Sequence, residues 1–215
     1  MKPYSFAELK NETLQVLGHG LGEHQFTFHR KQSRFVRQMS TVRWSVGISF
    51  IRHPTDFDVT AGVAVGFDAL EKLICEDERE AMRTYSLGVN LGYFTGEGQK
   101  RWSVHSEQDV EPTCGSLMKT IVEMGLPYLE KYSSMTNALE LLSGDDAAAW
   151  RHSPIHYARA QRAIGLAFLL GDENAFHRLA VEKTEFLTKR EDQMLQRFLD
   201  VRKKLEALLH PKTQV

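Results

Sequence analysis

The sequence predicts an α+β fold, an antiparallel meander of five or six strands with helices packed on it, followed by a C-terminal helical hairpin. Three observations carry this. The segments "VRWSVGISF" (42–50), "FDVTAGVAVGF" (57–67) and "YSLGVNLGY" (85–93) alternate large apolar residues with small or polar ones. A period of two is the mark of a strand with one buried face. Before residue 20 and after residue 105 the apolar residues recur at helical spacings instead.

Taken in order, the first element is a helix from Ser5 to about Leu17, with Phe6, Leu9, Leu14 and Leu17 on its apolar side and Ser5 with Glu8 as a capping box. "GHGLG" predicts its stop, since glycine accepts the left-handed cap. "QFTFHR" and "RFVRQM" predict short strands, and "HPTD" the turn between two long ones. "DALEKLICEDEREAMR" predicts one helix with Leu70, Leu73, Ile74 and Met82 on its apolar side, and "RWSVH" a last strand. A helix follows through about Met124, with a break at Gly125–Pro127 and one or two short helices after it. Ser153 with Pro154 predicts a helix start, and Gly171 then Asp172 a stop and a restart. Asp172 to Leu209 reads as one long helix or two, because "TKRED" interrupts the apolar stripe. The chain therefore divides near residue 144, into an α+β domain over 1–144 and a helical extension over 145–215 packed on or beside it.

Composition narrows the function classes. The 215 residues hold 42% hydrophobic and 26% charged residues, enough for a sizeable core. With 27 basic and 28 acidic side chains the formal charge is −1, so no global attraction to nucleic acid or anionic membrane is expected. The N-terminal stretch lacks the apolar core of a signal peptide, and no apolar run approaches the ~20 residues of a membrane span. A cytoplasmic location with two reduced thiols, Cys75 and Cys114, is expected.

Four stretches, in order, carry a resemblance. "LGHGLGEHQFTFHR" has glycines, then aromatic-x-aromatic and a basic residue. "WSVGISFIRHPTDFDVTAGVAVG" is a strand, a polar turn and a glycine-rich strand. "RWSVHSEQD" is a Trp-containing strand entering a helix, and "LPYLEKYSSMTNALELL" follows. Together, over roughly residues 5–143, they resemble a bacterial family of unknown function, family forty-three-zero-four. The resemblance implies an α+β fold and no established activity. By analogy with other small bacterial domains it extends to a protein-interaction role of the toxin-immunity kind.

The strongest chemical signal is charge segregation. Residues 26–55 contain no Asp or Glu, and Arg30, Lys31, Arg34, Arg37 and Arg43 stand together on a predicted hairpin. These five are the candidate partner-binding residues, for an acidic protein or, as a second reading, for a nucleic-acid backbone. The competing explanation is internal: residues 68–80 carry six acids against two bases, a helix that balances the hairpin. Catalytic, metal and cofactor signals are weak. His19, His24 and His29 recur every five residues, a spacing that fits neither one helix face nor one strand face. His152 and His156 are separated by a predicted helix start. Ser103, His105, Glu107 and Asp109 are near in sequence without the order of a triad, and no catalytic, metal or cofactor residue is assigned. An enzyme reading rests only on the small-residue face of the sheet, Gly62, Ala64, Gly66, Ser86, Gly88, Asn90 and Gly92, which could admit a helix, a partner or a ligand.

Overall fold

The computed structural model describes residues 5–210. Helix α1 (Phe6–Glu23) begins at the predicted capping box: the Ser5 hydroxyl accepts from the Glu8 N–H at 3.3 Å, and the Glu8 carboxylate accepts from the Ser5 N–H at 2.7 Å. It does not stop at "GHGLG". Leu17 and Leu21, one turn apart, are both fully buried, and that burial carries the helix through three poor helix formers. Gly18 and Gly20 let neighbours approach: an added Cβ would stand 3.6 Å from the Phe35 ring and 3.1 Å from the Met118 methyl. The stop falls later, where Gln25 takes φ 65°. There the Phe26 N–H donates to the Leu21 carbonyl at 3.0 Å and the Gln25 N–H to the Gly22 carbonyl at 2.9 Å, closing the helix in a left-handed cap. Gln25 is exposed, so Gln25→Gly is expected to raise stability by about 0.5–1 kcal/mol, read as a higher urea midpoint at constant slope.

The antiparallel sheet runs β1 (Thr27–His29), β2 (Arg34–Gln38), β3 (Val42–Arg52), β4 (Phe57–Phe67), β5 (Leu87–Asn90) as neighbours in chain order. Strand β6 (Trp102–Val104) pairs with the first residues of β4, Phe57 opposite Val104 and Val59 opposite Trp102. Val46, Ile48, Phe57, Val59, Ala61, Val63 and Val65 are all buried, as the alternation predicts. Strand β5 is shorter than the alternating pattern. The Asn90 side chain accepts from the Gly92 N–H at 2.9 Å and turns the chain into a single 3-10 turn, Leu91–Tyr93.

Helix α4 (Val110–Thr120) continues through one π turn (Ile121–Gly125) into α5 (Leu126–Tyr132). The break predicted at Gly125–Pro127 is thus a wide turn within a continuous rod. The Leu126 N–H donates to the Ile121 carbonyl, five residues back, and Pro127, which has no N–H to give, follows it. Gly125 is small because the helix lies against the sheet there; a Cβ would stand 3.1 Å from Val63 and 3.5 Å from Leu91.

The described residues form two compact units, 5–65 with Gly88–Lys131, and Gly66–Leu87 with 132–210. These do not coincide with a single cut at residue 144: the segment after β4 belongs with the C-terminal helices. In that second unit α2 (Asp68–Ile74) and α3 (Glu78–Arg83) replace the single helix predicted over this stretch. Cys75 is extended, and the Asp77 side chain caps α3 by accepting from the Glu80 N–H at 2.8 Å. Met82, expected on the apolar side, is 63% exposed. Helices α6 (Met135–Ser143) and α7 (Ala147–His152) precede α8 (His156–Leu169), α9 (Glu173–Lys189) and α10 (Leu195–Leu209).

Helix α8 is the axis of this unit, with eight buried residues and α2, α6, α9 and α10 packed on it. Its Gly165 lets α2 approach closely: a Cβ there would stand 2.5 Å from a Leu70 methyl, so that buried side chain would have to move. It starts at Ile155 rather than at the predicted Ser153 cap, because Ser153 ends α7. The stop at Gly171 (φ 70°) and the Asp172 cap, accepting from the Ala175 N–H at 2.9 Å, are as predicted. So is the interruption at "TKRED", where Glu191 takes φ 52° between two separate helices.

Two buried ion networks hold this unit. Fully buried Glu71 accepts from Ser86 Oγ at 2.7 Å and from Arg162 Nε at 3.1 Å. Asp145 accepts from Lys183 Nζ at 2.8 Å and Arg159 Nη2 at 3.3 Å. Nearby, Arg197 lies 3.3 Å from Glu80 and 3.5 Å from Glu76. The acidic run at 68–80 therefore finds counter-charges on α8 and α10.

Candidate functional site

The register of the basic hairpin decides where its charges point. Phe35 pairs with Val46 and Arg37 with Trp44, while Arg34 faces Gly47 and Gln38 faces Arg43. Directly opposed residues share a face, and neighbours along a strand alternate. Arg37 therefore lies on the Phe35–Trp44–Val46 face, its guanidinium 5.1 Å from the Trp44 ring centroid. Arg34 and Arg43 lie on the opposite face, and Arg43 is only 8% exposed. The five predicted residues do not form one stripe. Of the five, Arg30 and Lys31 alone are exposed, on the 3-10 turn (Arg30–Gln32) at the tip of the β1–β2 hairpin, where Ser33 takes φ 48° to close the loop.

That tip borders a cavity of about 680 Å³ lined by Phe6, Ala7, Lys10, Asn11, Leu14 and Gln15 of α1 together with Phe28, Arg30 and Ser33. The helical residues come from one face, at spacings of three and four. Leu9, Thr13 and Leu17 turn into the core, while Phe6 and Leu14 are only half-buried. The predicted apolar stripe of α1 thus serves two surfaces. The aromatic floor is built on ring contacts: Phe28 packs on Phe35 at 4.8 Å and Phe6 meets Phe57 edge-on at 5.3 Å. Lys10 lies 5.1 Å from the Phe50 ring centroid and Arg52 5.3 Å from that of Phe6. Two cations and no carboxylate line the cavity. Of these residues Arg30 is a predicted partner-binding residue, and Phe6 and Leu14 belong to the predicted apolar side of α1; Lys10, Asn11, Gln15 and Phe28 were legible only as parts of a helix and a strand.

The other candidates resolve into structural roles. Ser103 Oγ donates to Asp58 Oδ1 at 2.7 Å, and His53 Nε2 lies 3.0 Å from Asp58 Oδ2. The hydroxyl proton thus points at a carboxylate with no imidazole between, the reverse of a nucleophilic triad. The Ser103 hydrogen bond holds the Asp58 carboxyl below the usual aspartate range, with His53 and Arg101 adding to it. His105 Nδ1 instead meets Asp56 at 2.9 Å. Asp109 caps the following turn, accepting from the His105 and Ser106 N–H groups.

Burial pushes both thiols up to about 11, Cys75 with help from Glu71, which favours the protonated thiol over the thiolate. Both cysteines are free. His19 lies within α1, His24 at its C-cap and His29 at the end of β1, while His152 and His156 sit on different helices. Among the described residues no group of three or more His, Cys, Asp or Glu is arranged to hold a metal ion, and no helix is long and apolar enough to cross a membrane.

The small-residue face has its own reason. A Cβ on Gly62 would stand 3.0 Å from the Val89 carbonyl oxygen, and one on Gly88 2.8 Å from both Ala64 Cβ and the Val63 carbonyl oxygen. These glycines let neighbouring strands approach. Asn90 is likewise engaged, donating to Thr60 Oγ1 at 3.1 Å. Comparison with known proteins finds no relative: no family model, no curated protein and no solved structure matches this chain.

Proposed function

We propose that this is a non-enzymatic protein-interaction domain of a bacterial cytoplasm, of the toxin-immunity kind, which meets an acidic partner protein at the basic tip of the β1–β2 hairpin. The observation that carries the reading is the cavity beside that tip: apolar floor, Lys10 and Arg30 among its lining residues, no carboxylate. The division of the hairpin arginines between two faces weighs against nucleic acid, whose backbone needs cations along one continuous path. The test is co-purification from the organism that encodes the chain, at low salt, with and without nuclease. A protein partner retained by the wild type, unaffected by nuclease and lost from the Arg30→Glu/Lys31→Glu variant is expected. Recovery of nucleic acid, or of a partner indifferent to the charge reversal, would contradict it.

A further inference from the structure

The cavity lies beside the edge of the sheet. The strand order begins at β1, and among the described residues no strand pairs with its outer side. Thr27 and His29 are exposed, whereas Phe28, on the other face of β1, packs on Phe35 and lines the cavity. An edge strand offers main-chain donors and acceptors to any extended segment laid along it, and a neighbouring helix supplies the pocket for alternate side chains. Helix α1 has the matching chemistry. Ala7 and Leu14 leave apolar space. Asn11 and Gln15, one turn apart and exposed, present amides that both donate and accept. Lys10 and Arg30 set the charge, with exposed Lys31 next in the loop. The nearby carboxylate of Glu8 is committed to Ser5.

We propose, resting on the interaction role above, that an extended acidic segment of the partner protein adds to the sheet alongside β1. One apolar side chain enters between Phe6, Leu14 and Phe28, and flanking carboxylates meet Lys10 and Arg30. Charge complementarity selects this occupant: a basic or neutral strand would gain the same backbone bonds but not the ion pairs.

The test uses the full chain, isotope-labelled for NMR, titrated with an acetylated peptide of one phenylalanine among glutamates, with the same peptide carrying lysines, and with a thymidine oligonucleotide. The acidic peptide is expected to shift the amide resonances of Thr27, Phe28, His29 and Arg30 and to slow their exchange with solvent. Ala7→Trp, which fills the cavity without altering charge, and Lys10→Glu/Arg30→Glu are each expected to weaken binding by about tenfold or more. Both change exposed or half-exposed positions, and unchanged resonances elsewhere verify the fold. No shift along β1 by about 1 mM peptide, indifference to Ala7→Trp, or preference for the lysine peptide or the oligonucleotide would overturn the proposal. An acidic peptide that binds only at other residues would remove the strand addition and leave the interaction role standing. A partner absent from co-purification, with the peptide still seated on β1, would remove the role and leave the groove.

Discussion

Glu71→Ala is expected to lower the unfolding free energy by about 3–5 kcal/mol, the largest loss of any single truncation considered for this chain. The carboxylate is 0% exposed and accepts from Ser86 and Arg162. The Ser86 oxygen in turn accepts from the Phe67 N–H at 3.1 Å, so the network reaches the backbone where β4 passes into α2. Truncation leaves a guanidinium that is 12% exposed and a fully buried hydroxyl without their acceptor. The cost is that of uncompensated burial, not the modest net worth of one hydrogen bond. Glu71→Gln, which keeps the shape and one acceptor oxygen, is expected to lose less. So is the double variant Glu71→Leu/Arg162→Leu, which removes both charges. Urea unfolding of the three variants separates these contributions. A loss below about 1 kcal/mol for Glu71→Ala would mean that the pair behaves as a surface ion pair. The exposed Arg178–Glu182 pair, at 58% and 48%, provides that comparison.

Asp145→Ala is expected to cost about 3 kcal/mol. Here one carboxylate serves two nearly inaccessible cations, Arg159 at 1% and Lys183 at 2%. Backbone carbonyls complete their coordination. Lys183 Nζ donates to Ser143 at 2.6 Å, Arg159 Nη1 to Ser153 at 2.6 Å, and Arg159 Nε to Gly144 at 3.2 Å. Arg159 Nη2 also lies 3.1 Å from His156 Nδ1. Arginine can only donate, so in this hydrogen bond His156 Nδ1 takes the acceptor role, which an imidazole protonated at that nitrogen lacks. Burial, with the Arg159 charge second, holds its pKa below the ordinary imidazole value. Without Asp145 two positive charges face each other with only dipoles for company. Because these carbonyls come from Ser143, Gly144 and Ser153, at the end of α6 and on either side of α7, the loss should appear first as faster amide exchange over residues 143–153. Exchange unchanged there, with stability within about 0.5 kcal/mol of the wild type, would mean the carbonyls suffice.

The sheet was legible because the large apolar side chains of each long strand lie on one face, and alternation reports that directly, although polar Arg43, Ser45, Asp58 and Thr60 on the other face are buried as well: Val42 to Phe50 and Phe57 to Phe67 became β3 and β4. Helix ends were less legible where packing overrides a local signal. Three glycines read as a stop in α1, yet Leu17 and Leu21 are buried on either side of Gly18, and the actual cap uses a glutamine. Pro127 read as a break, yet a π turn takes up the missing donor. Charge balance was the least legible, since the partners of Glu71 and Glu80 are Arg162 and Arg197, many residues further along. The hairpin arginines could be counted in the sequence but not placed on faces, because that depends on the β2–β3 register setting Arg37 against Trp44. Of the cavity, Phe6, Leu14 and Arg30 were visible as residues, while their meeting place depends on α1 lying beside β1.

The most direct measurement is site-specific photo-crosslinking in the cells that encode the chain. One probe replaces Asn11, inside the cavity; another replaces exposed Glu185 on α9, in the other compact unit, as the control. A single protein adduct from position 11, mapped to an acidic segment and lost with Lys10→Glu/Arg30→Glu, is the predicted result. An adduct from position 185 alone, or nucleic acid captured at position 11, would contradict the account.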